Sequence, residues 1–88
     1  MDPERRLTVL GGEIYDGAYA KCPEFGMSVY GGSFDKAKGL LMESVRTAAY
    51  EIVERNEHGL SVDDDLLPFA KLITQEADFK QYFLEKRV

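Results

Sequence analysis

Residues 14–37 read IYDGAYAKCPEFGMSVYGGSFDKA, and this stretch decides the fold. Asp16-Gly17 lies between two strand-forming runs and suits the two-residue turn of a β-hairpin, because glycine takes a positive φ without a Cβ clash and aspartate does so at little cost. Ala18 to Cys22 and Met27 to Tyr30 are then short strands. Between them Pro23 has no N–H to offer a ladder and Gly26 permits a sharp turn, so the chain leaves the sheet and returns. Ser33 stands where an N-cap oxygen accepts from a free amide of the first helical turn, and Asp35 places negative charge at the positive end of the helix dipole.

Upstream, Leu7 to Leu10 supplies a first strand, with a bulge or bend expected at Gly11-Gly12. The three runs make an antiparallel meander. Downstream, Phe34, Ala37, Leu40, Leu41, Val45, Ala48, Ala49, Ile52 and Val53 recur at helical spacing, so Phe34 to Arg55 forms one long helix with a single buried stripe. Glu51 and Arg55 support it at i, i+4. Gly39 costs about 1 kcal/mol against alanine in a helix interior, and close approach of helix to sheet opposite Ala18 and Ala20 is the expected compensation.

Glu57-His58-Gly59 ends that helix, and Ser61 to Asp65 is polar and acidic. Leu66 to Ile73 favours a short helix capped near Asp65, since Pro68 suits a first helical turn; an edge strand is the alternative. Thr74 is expected to cap a final helix, Gln75 to Lys86, that packs through Ala77, Phe79, Phe83 and Leu84. The expected class is therefore α+β: a three-stranded antiparallel meander with room for a short fourth strand, covered by one long amphipathic helix, plus a C-terminal helix. A single domain spans residues 1–88, its core at about 6–56 and a helical extension at 60–88.

Composition narrows the function. With 88 residues, 44% hydrophobic and 31% charged, the chain can fill one core and not two ordinary ones. Sixteen acidic against eleven basic residues leave a net charge of -5, the wrong sign for tracking a phosphate backbone, so no direct nucleic-acid partner is expected. Apolar runs are far shorter than the roughly 20 residues of a spanning helix, and a soluble, cytoplasmic protein with no membrane partner is expected. One cysteine and one histidine cannot build a disulfide framework or a structural zinc site of about four ligands.

The stretch DGAYAKCPEFG at 16–26 and GGSFDKA at 31–37 together resemble the HicB-like antitoxin family, whose members carry DGGYVAECPELPG and then GDTLEEA at similar spacing. The resemblance covers about residues 7–56. Phe25 runs directly into Gly26, without the family's intervening proline, and Lys36 replaces an acidic residue, so Ser33 caps without a reciprocal partner. The resemblance implies a cut-down RNase H-like domain without RNase catalysis, which neutralises a small basic RNase toxin by covering its active-site surface. The DNA-reading module of fuller relatives is not expected, because residues 60–88 hold six acidic against four basic residues.

If the strand order follows the family, Met27 to Tyr30 is an edge strand with no Lys, no Pro and no charge, which invites an antiparallel strand from a second copy. A homodimer through this edge is expected, unless residues 60–88 fold back over it. The expected interaction residues are Met27, Ser28, Val29 and Tyr30, with Glu24 and Phe25 of the preceding loop.

No catalytic residue, metal or cofactor is expected. Asp63-Asp64-Asp65 lacks the alternating ligands of a calcium loop, and acidic residues before a helix have a dipole explanation. Cys22 reads as a small core residue, and His58 as an exposed helix-end imidazole. Gly11-Gly12 and Gly31-Gly32 match no phosphate-binding loop and read as turns. Tyr15, Tyr19, Tyr30 and Tyr50 make an aromatic surface only if they share one sheet face. The alternative function is a small enzyme or ligand-binding domain using His58 and nearby carboxylates.

Overall fold

The structure, a computed structural model, describes residues 6–87. Residues 1–5 and 88, the two ends of the expected 1–88 unit, lie outside the described residues.

Strands β1 (Leu7–Ile14), β2 (Gly17–Cys22) and β3 (Met27–Gly31) form the expected antiparallel meander. Its glycines act differently from the expectation. The β1–β2 register runs from Leu10↔Lys21 to Ile14↔Gly17 without an extra residue, so Gly11-Gly12 makes no bulge. Gly11 is required for space, because a Cβ there would strike the Tyr19 carbonyl and the Phe34 ring. The hairpin loop is Tyr15-Asp16, one residue upstream of the expected Asp16-Gly17, and neither these residues nor Gly17 has a positive φ. Gly17 is held by crowding instead, since its Cβ would lie 2.6 Å from the Gly31 carbonyl oxygen.

Helix α1 (Phe34–Glu57) begins as expected: the Ser33 hydroxyl accepts from the Lys36 amide at 3.3 Å. It stops at a left-handed Gly59 (φ 73°), with the Gly59 amide on Asn56 O and the Leu60 amide on Arg55 O, the paired bonds of a Schellman end. Phe34, Ala37, Leu41, Val45 and Ala49 are buried against Ala18, Ala20, Cys22, Leu7 and Val9 of the sheet. Leu40 falls off this line and is 54% exposed, whereas Met42 joins the core. The expected close approach at Gly39 is absent, for open space surrounds its missing Cβ. Helix and sheet approach closely at Gly31, whose Cβ would lie 3.0 Å from the Ala37 nitrogen.

After Gly59 the chain enters helix α2 (Leu67–Gln75), with Pro68 in its first turn, so the helical reading of 66–73 holds and the strand alternative falls. Asp65 does not cap it. Instead Asp63 accepts the Asp65 amide on its side chain and the Leu66 and Leu67 amides on its carbonyl. The expected final helix at 75–86 does not form. Thr74 donates its hydroxyl to Ala70 O (2.8 Å) and Lys71 O (3.2 Å) inside the last turn of α2, and the chain continues through a 3-10 turn, Phe79–Tyr82, into β4 (Phe83–Arg87). Strand β4 pairs in parallel with β1, from Leu7↔Phe83 to Gly11↔Arg87, giving the mixed order β3-β2-β1-β4.

The physical reason is tertiary. β1 carries buried Leu7 and Val9 and has a second edge to satisfy, and Phe83 beside Leu7 buries its ring in an edge-on contact with Phe79 at 6.5 Å. Glu85 then meets Lys38 of α1 at 3.1 Å, a pairing between sheet and helix that no local pattern reveals. Arg46 of α1 lies over the Phe79 ring at 4.5 Å; its Nε is buried with no hydrogen-bond partner among the described residues, and the ring face offers partial compensation.

Candidate functional site

The strand order leaves β3 at one edge of the sheet. The segment expected as a competitor for that edge goes elsewhere: β4 takes the opposite edge on β1 and α2 packs on α1. Within β3 the pleat divides the expected interaction residues. Met27 and Val29 are half-buried on the helix side and pack against the core, while Ser28 and Tyr30 are exposed on the uncovered face, Tyr30 at 72%. Tyr19 is the cross-strand neighbour of Tyr30 and shares that face. Tyr15 is in the hairpin loop and Tyr50 lies on α1 beside Arg46, so the tyrosines form a pair and not a four-membered surface.

The turn before β3 sets its position. Pro23–Phe25 makes one 3-10 turn, and Gly26 reverses the chain with a φ of 63° and an amide bond to Pro23 O at 3.1 Å. Glu24, expected to face a partner, is engaged within the domain: its carboxylate accepts from the Thr8 amide at 2.9 Å, the Thr8 hydroxyl at 2.8 Å and the Cys22 thiol at 3.5 Å. Partial burial pushes this carboxyl upward, but the hydrogen bonds from Thr8, from its own amide and from Cys22 outweigh burial and hold it below the usual carboxylate range. Cys22 is fully buried. Burial, supported by the charge on Glu24 and opposed by the Phe25 amide, pushes its thiol up to about 11.

Phe25 points to a feature with only a faint signal in the sequence. Its ring borders a cleft of about 580 Å³ between α1 (Ala48, Ile52) and the segment that enters α2 (Val62, Leu66), with Glu51 and Asp63 at the rim. A second cleft, about 370 Å³, shares Asp63 and Leu66 with the first and adds Arg6, Glu24 and Asp65. The one hint is an apolar Phe25 inside a turn; that Val62 and Leu66 would face it depends on the path of the chain after Gly59.

Among the described residues no group of three or more His, Cys, Asp or Glu side chains could hold a metal ion. His58 caps the end of α1 in an exposed position and borders neither cleft. No described helix is long and apolar enough to cross a membrane.

No protein-family model and no curated protein matches the chain. Among solved structures, the chain is similar to one described as an antitoxin part of a candidate toxin/antitoxin system from Syntrophomonas wolfei subsp. wolfei, with a TM-score of 0.79 and 11% sequence identity. The match covers 97% of this chain and spans 65% of the length of that protein. At that identity the likeness shows a common fold, the mixed α+β arrangement described above.

Proposed function

We propose that this chain is a non-catalytic, HicB-like protein-binding domain that works through its β3 edge, pairing with a second copy of itself and acting as an antitoxin-like inhibitor of a small basic RNase toxin. The observation that carries the proposal is the edge itself: β3 is paired on one side by β2, is left uncovered on the other by every described element, and contains no charge or proline to repel a partner strand. Two further facts support it. The fold is shared with a protein described as an antitoxin. The net charge of -5 favours encounter with a basic partner.

The alternative of a small enzyme built on His58 gains no support from its exposed position outside both clefts. The antitoxin reading is tested with the product of a small basic reading frame adjoining the gene. Stoichiometric addition of the chain should suppress RNA cleavage by that product, with binding in the nanomolar range. Undiminished cleavage in the presence of excess chain would overturn it.

A further inference from the structure

We propose that the cleft beside Phe25 receives an extended segment of a partner protein in which an arginine or lysine adjoins an apolar residue. The proposal rests on the reading of the chain as a binder of a basic protein and names where and how part of that protein is held. The floor is apolar, made by Phe25, Ile52, Val62 and Leu66, and its volume of about 580 Å³ falls in the range in which proteins hold side chains or small ligands.

The rim is acidic. Glu51 and Asp63 border this cleft, and Asp65 and Glu24 border the smaller one that shares Asp63 and Leu66 with it. Two guanidinium groups oppose these four carboxylates, and Arg55 is already ion-paired to Glu51 at 3.0 Å. Asp63 uses Oδ1 to hold the Asp65 amide; among the described residues its Oδ2 and the Asp65 carboxylate have no partner. The surface therefore offers acceptors to a cation over an apolar floor, the chemistry that a basic side chain next to an aliphatic or aromatic one satisfies.

Other surfaces fit such a segment less well. The uncovered sheet face carries exposed Lys21 and Lys86 on either side of Leu10, the wrong sign for a basic segment. Position also favours a polypeptide, because Phe25 is separated from Met27 only by Gly26, so a chain lying in the cleft reaches the start of the β3 edge.

The test uses a peptide too short to add a strand to β3. Acetyl-Arg-Leu-Arg-amide is titrated into the isotopically labelled chain and followed by amide chemical shifts, with acetyl-Glu-Leu-Glu-amide as the control. The expected result is saturable shifts centred on Phe25, Ile52, Val62 and Leu66 for the basic peptide alone. The Asp63→Asn/Asp65→Asn variant, which keeps an acceptor for the Asp65 amide, should weaken binding about fivefold, in line with two partly exposed charge pairs. An unshifted spectrum at millimolar peptide, equal binding by the variant, or shifts centred on Tyr19 and Lys21 would each overturn the proposal. Failure here leaves strand addition at β3 to be judged by molecular mass, and a monomeric mass leaves the peptide result standing.

Discussion

Thr8 and Glu24, 16 residues apart in sequence, are joined twice: the Thr8 amide donates to Oε1 at 2.9 Å and its hydroxyl to Oε2 at 2.8 Å. The register that pairs Leu10 with Lys21, continued toward the start of β1, would set Thr8 opposite Pro23, where the chain has already left the ladder. The Glu24 carboxylate thus serves the Thr8 amide in place of a strand carbonyl, and it ties the turn that launches β3 to the central strand β1.

This clamp makes stability depend on pH. The Glu24 carboxyl titrates lower in the folded chain than its ordinary value, so its contribution is complete above that value and fades as pH falls through the folded one. Glu24→Gln should lower unfolding stability at neutral pH by about 1 kcal/mol, a charged hydrogen-bond pair discounted for exposure, and should flatten the acid limb. Urea unfolding at several acidic pH values checks both; equal acid limbs for the two proteins would contradict the clamp.

Cys22 should resist chemistry. Its burial and its thiol raised to about 11 leave almost no thiolate at neutral pH, so iodoacetamide should modify the folded chain far more slowly than the urea-unfolded chain. Mass spectrometry over a time course measures the ratio, and similar rates would place the thiol at the surface.

Two glycines should respond to alanine in opposite directions. Gly11→Ala drives a methyl into the Tyr19 carbonyl and the Phe34 ring and should cost about 1 to 3 kcal/mol. Gly39→Ala adds a methyl in open space within a helix and should stabilise by about 1 kcal/mol. Thermal or urea unfolding of the pair decides it, and a destabilising Gly39→Ala would mean that the helix needs the glycine for a reason other than space.

Leu41, fully buried at the centre of the helix–sheet contact, should cost about 2 to 5 kcal/mol when cut to alanine. A change below about 0.5 kcal/mol, the size of a surface substitution, would remove it from the core.

How much of this was legible from the residues follows the range of the interactions. The meander and α1 are local: the strand runs, Ser33 and Gly59 each signal their place within a few residues, and all lie close to the expected positions. Strand β4 is not local. Phe83 to Arg87 carries the basic charge suited to a helix end, and only the vacant edge of β1, more than 70 residues upstream, makes it a strand. Gly11 and Gly17 differ from expectation for a related cause, since a glycine retained for crowding looks the same as one retained for its φ until its neighbours are in place; Gly39 differs in the opposite sense, with open space where close packing is expected. At the candidate site the edge position of β3 follows from the strand order that the family resemblance implies, and the uncharged, proline-free run shows only that such an edge is undefended. The role of Glu24 was not, because its partner Thr8 belongs to a strand whose register the sequence leaves open.

The central claim is that β3 is an adhesive edge, and the mass of the free chain tests it most directly. In a two-fold antiparallel pairing centred on Val29, Ser28 of each copy faces Tyr30 of the other, so a Ser28→Lys/Tyr30→Lys variant sets like charges opposite each other at exposed positions that the core does not use. Light scattering coupled to size exclusion at tens of micromolar should give twice the 9.9 kDa chain mass for the natural sequence and a single chain mass for the variant. A monomeric natural chain, or a dimer that survives both lysines, would contradict it.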